Sequence, residues 1–111
     1  MKTQMLNENS RDAKERIANK QAKIRIAVLN ATAASGPLTL EELVVHPVFK
    51  DMRDKHGLPL KPQSIRSRVP EMIKAGMLAR TGTDKKIGGG THYQFDVAWR
   101  VNTQQVQREL L

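Results

Sequence analysis

The side chains able to do acid–base, nucleophilic or metal chemistry are few in this chain and poorly grouped. His46, His56 and His92 stand apart, with no His-x-x-x-His or related ligand spacing. Ser10, Ser35, Ser64 and Ser67 lack the turn context that activates a serine nucleophile. The absence of cysteine removes thiolate catalysis, thiolate zinc sites and disulfides. Asp51, Asp54 and His56 do cluster, but within a stretch of alternating charge that reads as a solvated helix end. The triplet Gly88, Gly89 and Gly90 lacks the Gly-x-x-x-x-Gly-Lys order of a P-loop and precedes no helix, so nucleotide binding is not expected. Neither an enzyme, a cofactor nor a bound metal is expected.

The chemistry lies instead in the cations. Nineteen Lys and Arg against eleven Asp and Glu give a net charge of +8, which points to a polyanionic partner. Position sharpens this. Residues 61–92 hold seven basic and two acidic groups, a net +5, and the first 36 residues hold seven basic and three acidic groups, a net +4. Residues 37–60, with three basic and four acidic groups, carry −1. Lysines at a hairpin tip also keep it soluble, so the case for a binding face rests on the cations of the preceding helix as well.

These cations need a scaffold, and 111 residues with 39% hydrophobic content suffice for one small domain. No signal-peptide core and no membrane-spanning apolar run is evident, so a cytoplasmic protein, nucleoid-associated if bacterial, is expected. Residues 1–9 read as a flexible tail. Ala13, Ile17, Ile24, Val28 and Ala31 then recur at helical spacing, predicting a long N-terminal helix that stops at Ser35, Gly36 and Pro37, with Gly36 as a left-handed cap. Ala27, Ala31, Ala33 and Ala34 would allow close packing of its last turns. Thr39 and Glu42 have the spacing of a capping box, opening a short second helix with Leu40, Leu43 and Val44 on its apolar face. Beyond Pro47, the residues Val48, Phe49 and Met52 continue a helical spacing up to His56 and Gly57.

Pro62 suits the first position of a third helix, whose buried stripe is Ile65, Val69, Met72 and Ile73 and which Gly76 closes. Pro70 inside it implies a bend or a split, and a bent helix is the preferred reading. Met77 to Arg80 then reads as a strand leading into a loop with Gly82, Asp84, Lys85 and Lys86. Thr91, Tyr93, Phe95 and Val97 alternate with polar residues as a half-buried strand. Trp99, Tyr93 and Phe95 are expected in the core. Asn102 or Thr103 would cap a short C-terminal helix, at 101–111, carrying Val106, Leu110 and Leu111.

Helix, helix, helix, hairpin is an order that resembles the winged-helix (winged helix-turn-helix) DNA-binding family. Leu38-Thr39-Leu40-Glu41-Glu42-Leu43 resembles the start of that family's second helix. Ile65, Val69, Met72, Ile73, Ala75, Gly76, Met77 and Leu78 resemble its recognition helix and the turn into the wing. His46 to Leu60 lengthens the turn between the second and third helices that is usually short in the family. The expected fold is therefore α+β, mostly α: a winged helix-turn-helix within residues 10–100, with a long N-terminal helix, a β-hairpin wing and a short C-terminal helix.

The resemblance implies duplex DNA as partner, a transcriptional regulator as function, and a third helix in the major groove. Gln63, Ser64, Arg66 and Ser67 would lie at or near base edges, where glutamine can pair with adenine and arginine with guanine. Arg68 and Lys74 would meet phosphate, and Arg80, Lys85, Lys86 and His92 would form a basic wing on the backbone or minor groove. A homodimer through Ile17, Ile24 or the C-terminal helix would read two half-sites. The alternatives are an adaptor that binds a protein partner, such as the transcription machinery, through residues 46–60, or a sequence-indifferent architectural binder of nucleic acid.

Overall fold

The computed structural model describes residues 20–110, and the Ile17 seam lies outside them. Helix α1 runs through residues 20–35. Ile24, Ala27, Val28, Ala31 and Thr32 are buried on it, the i, i+3, i+4, i+7, i+8 spacing of one helix face. Ile24 is thus a core residue, and Ala33 and Ala34 are exposed. Thr32 satisfies its buried hydroxyl by donating to the Val28 carbonyl at 2.7 Å.

Helix α2 spans Leu40–Val44 and is capped as its sequence anticipates, with Thr39 and Glu42 forming both bonds of the capping box. The helical spacing beyond it yields only a 3-10 turn, Pro47–Phe49. Residues 50–60 are a loop rather than a helix, because Asp54 diverts the backbone. Its Oδ1 accepts from the amides of His56 and Leu58, at 2.8 and 3.0 Å, while its own amide donates to the Leu58 carbonyl. Those amide bonds, from Leu58 first and then His56, hold the Asp54 carboxyl below its ordinary pKa.

The third helix is split, against the preferred reading of one bent helix. Helix α3 covers Pro62–Arg66 and α4 covers Arg68–Lys74. Pro70 has no N–H to return to the Arg66 carbonyl, so it is accommodated in the first turn of a new helix, where that N–H is dispensable. Ser67, between the two, keeps φ −65° and ψ −22°, so the chain stays right-handed across the break. Ile65, Val69 and Met72 are buried, and Ile73 packs against the core.

Strand β1, Leu78–Ile87, pairs antiparallel with β2, Gly90–Val97. The loop anticipated at Gly82 to Lys86 is strand instead, because pairing continues to Ile87 opposite Gly90 around a tight Gly88-Gly89 turn. An irregularity between Arg80 and Asp84 absorbs extra residues of β1. There Gly82 takes φ +83°, and the Thr81 hydroxyl accepts from the Thr83 amide. Leu38 adds a single bridge to the hairpin, exchanging both backbone bonds with Phe95 at 2.9 and 2.8 Å.

Helix α5, Ala98–Leu110, begins directly after β2, ahead of the anticipated Asn102 or Thr103 cap. Its first amide donates to the Met77 carbonyl, and Val101 is buried against the body. Trp99 lies on the outside of this helix at 63% exposure, so it is not the core residue expected; Phe95 fills that role, with no exposure at all. The whole is α+β and mostly helical, with one two-stranded antiparallel hairpin among the described residues.

A buried carboxylate ties the end of α1 to β2 and α5. Asp96 is 3% exposed; both its oxygens accept from Arg100, whose second nitrogen donates to the Ala33 carbonyl at 2.9 Å. Gly36 is needed here for space rather than as a left-handed cap, since its φ is not positive. A Cβ on it would stand 2.5 Å from both Asp96 Oδ1 and the Thr32 carbonyl oxygen. Gly36→Ala is therefore expected to lower the unfolding free energy by about 1–3 kcal/mol, the cost of overpacking. Gly89→Ala, whose Cβ meets nothing within 4 Å, should change it by less than about 0.5 kcal/mol; urea denaturation of the two variants checks both.

Candidate nucleic-acid interface

Three elements bring the sequence-predicted residues together: α3, the hairpin, and the first turn of α2 between them. On α3, Gln63 is exposed and Ser64, Arg66 and Ser67 are half-buried. The Gln63 amide nitrogen donates to the Ser67 hydroxyl at 3.1 Å, one turn away, which fixes both side chains on the same outer edge. Arg66 reaches from α3 to α2, where its guanidinium meets Glu41 Oε1 at 2.8 Å.

The hairpin makes the matching contact. Lys85 donates from Nζ to Glu42 Oε2 at 2.9 Å, a contact spanning 43 residues of sequence. Glu42 therefore does two things at once. Its Oε1 accepts from the Thr39 amide to cap α2, while its Oε2 anchors the hairpin. The Lys85 hydrogen bond holds the Glu42 carboxyl below its ordinary pKa of 4.5, helped by the Thr39 amide and hydroxyl and opposed by partial burial.

His92 sits opposite Lys85 in the ladder, half-buried beside Leu40, Thr91 and Tyr93 around a hollow of about 110 Å³. Arg80 is exposed and lies with its guanidinium carbon 4.1 Å from the Tyr93 ring centroid, a cation–π contact. Lys74 and Lys86 are exposed, and neither has an ion pair among the described residues.

Arg68 is placed differently from the rest. Its side chain is only 15% exposed and pairs with Glu71 at 3.0 Å, while Arg25 of α1 approaches the other Glu71 oxygen at 3.7 Å. Its buried Nε has no partner. Arg68 thus pairs within α4, Glu71 is the residue that links α4 to Arg25 of α1, and Arg68 has little surface to offer a ligand.

Sequence reasoning singled out no acidic residue for this face, yet Glu41 and Glu42 lie in it. The capping-box position of Glu42 was legible; that two consecutive carboxylates must point toward different neighbours was not, because the partners lie 25 and 43 residues away. Arg100 was also missed, although its i, i+4 spacing from Asp96 was a usable sign.

Among the described residues, no three His, Cys, Asp or Glu side chains converge as a metal site, and no helix is long and apolar enough to cross a membrane. No family model, curated protein or solved structure matches the chain.

Because Glu42 has a lowered pKa in the folded chain, the unfolded chain binds more protons below pH 4.5. The stability Glu42 provides is thus complete above that pH and is lost as pH falls through the lower folded value. Glu42→Gln keeps a capping residue at this position but cannot ionise. The difference in unfolding free energy between the native chain and Glu42→Gln should shrink steadily from pH 5 to pH 3 in urea titrations, and a pH-independent difference would contradict the assignment.

Proposed function

We propose that this chain is a duplex DNA-binding protein of winged-helix type, acting as a transcriptional regulator without a cofactor. The edge formed by Gln63, Ser64, Arg66 and Ser67 enters the major groove. The hairpin, with Arg80, Lys85, Lys86 and His92, lies along the backbone or in the minor groove. The observation that carries this reading is the convergence of Arg66 and Lys85, from separate elements, on the adjacent carboxylates Glu41 and Glu42. Both cations thereby border one surface, with the Gln63–Ser67 edge on one side and the hairpin on the other.

The chemistry suits the ligand. A guanidinium or ammonium already paired with a carboxylate is in the geometry that a phosphate oxygen would also accept. Gln63 and Arg66 offer the bidentate donors and acceptors that distinguish adenine and guanine in the major groove. Lys74, Arg80 and Lys86 supply sequence-independent attraction, and the net +5 of residues 61–92 makes that attraction long-ranged at low salt.

An adaptor function has one observation in its favour. Val45, 78% exposed, borders an open groove of about 520 Å³ lined also by Val44, Pro47, Phe49 and Leu60, next to the near-neutral loop. The two readings part on one variant. In fluorescence anisotropy with mixed-sequence duplex, the native chain should bind at low salt, with log K falling against log salt with a slope of about −4 to −5, as Arg66, Lys74, Arg80, Lys85 and Lys86 together require. Arg66→Ala, Lys85→Ala and Lys86→Ala together should weaken binding at least tenfold and flatten that slope by about 2 to 3. Absence of binding by the native chain at low salt overturns the DNA reading.

A further inference from the structure

We infer that Glu41 and Glu42 are specificity determinants: two adjacent carboxylates that occupy Arg66 and Lys85 in the free protein and must be exchanged for DNA when it binds. The inference rests on the DNA-binding reading above and concerns the selectivity of that same face. The first observation is the pairing itself, at 2.8 Å for Arg66 and 2.9 Å for Lys85. The second is that the Glu42 carboxylate cannot simply swing aside. Glu42 is held from its other oxygen by the Thr39 amide, and Thr39 is fully buried, so the cap anchors the charge in place. Glu41 is its immediate neighbour in the same turn, and α2 is fixed in the core through Leu43.

The consequence follows from what each kind of DNA offers. Random duplex attracts the face through phosphates alone. It must take Arg66 and Lys85 from their carboxylates and then lie within a Debye length of two uncompensated negative charges. A duplex that places guanine opposite Arg66 returns a bidentate bond to O6 and N7 for the one lost to Glu41. Specificity is a difference between two affinities, and a repulsive group that only the right partner overcomes enlarges it. The acidic pair thus lowers affinity for all DNA, and lowers it most where no base contact compensates.

The test is Glu41→Gln with Glu42→Gln in the full chain. Glutamine retains the capping geometry at position 42, and thermal melting at neutral pH should confirm the folded state. The control is Asp51→Asn with Glu109→Asn; both residues are exposed, outside this face, and without an ion pair among the described residues. It adds the same charge elsewhere. On mixed-sequence duplex at low salt the glutamine variant should bind roughly tenfold tighter, as two exposed ion pairs of ordinary strength imply. The control should gain less than about threefold. On a duplex enriched from a random pool by the native chain, the glutamine variant should gain less than on mixed sequence, so its selectivity falls.

Equal gains by the glutamine variant and the control would overturn the inference, since bulk charge would then suffice. So would an unchanged ratio between enriched and mixed-sequence duplex, or a pool that yields no enrichment. Those outcomes leave DNA binding intact. Absence of binding by every form, the glutamine variant included, overturns the DNA reading and this inference together.

Discussion

The candidate face depends on the five residues from Leu38 to Glu42. Leu38 exchanges two backbone bonds with Phe95 and so fixes β2 against the start of α2. Thr39, buried without exposure, closes the capping box with Glu42. Glu41 then holds α3 through Arg66, and Glu42 holds the hairpin through Lys85. A segment that is strand-like at one end and helix-capping at the other thus ties α3 and the hairpin to one another. Single exposed ion pairs contribute little to stability. The importance of these two lies in where they hold their cations.

A second clasp works at the base of the hairpin. Asp96, Arg100 and the Ala33 carbonyl join β2, α5 and α1, and the close approach of Gly36 leaves no room for a side chain. A buried carboxylate is tolerated because it is fully engaged, with Arg100 on both oxygens and the Val97 amide on Oδ1. Val28, Leu43, Ile65, Val69, Met72, Leu78 and Phe95 form one buried core. The exposed side of α5, with Trp99, Val106 and Leu110, lies outside both clasps.

Local chemistry was the legible part of this sequence. The capping box at Thr39 and Glu42, the stop at Ser35, the buried stripe of Ile65, Val69 and Met72, and the alternation through Tyr93 and Phe95 all follow from rules that act within one or two turns. What escaped such reading depends on distant partners. Gly36 was explained by backbone conformation, whereas its requirement comes from Asp96, sixty residues on in the chain and in contact in space. Lys85 read as loop because glycines flank it, yet cross-strand pairing with His92 overrides them. Arg68 read as a phosphate ligand from its charge, whereas its side chain is 15% exposed and paired with Glu71 on its own helix. The net +5 of residues 61–92 was correctly placed along the chain, but charge summed over sequence omits the carboxylates that α2 sets beside it.

The central claim is that α3 and the hairpin, with the acidic turn of α2 between them, form a single DNA-binding face. The most direct measurement is an amide ¹H–¹⁵N NMR titration of the full chain with duplex DNA at low salt. The account predicts that the largest shifts fall on residues 63–67, on residues 85–92, and on the amides of Glu41 and Glu42, moving together along one titration. Shifts confined to residues 44–60 or to α5, with residues 63–67 and 85–92 unmoved, would contradict it.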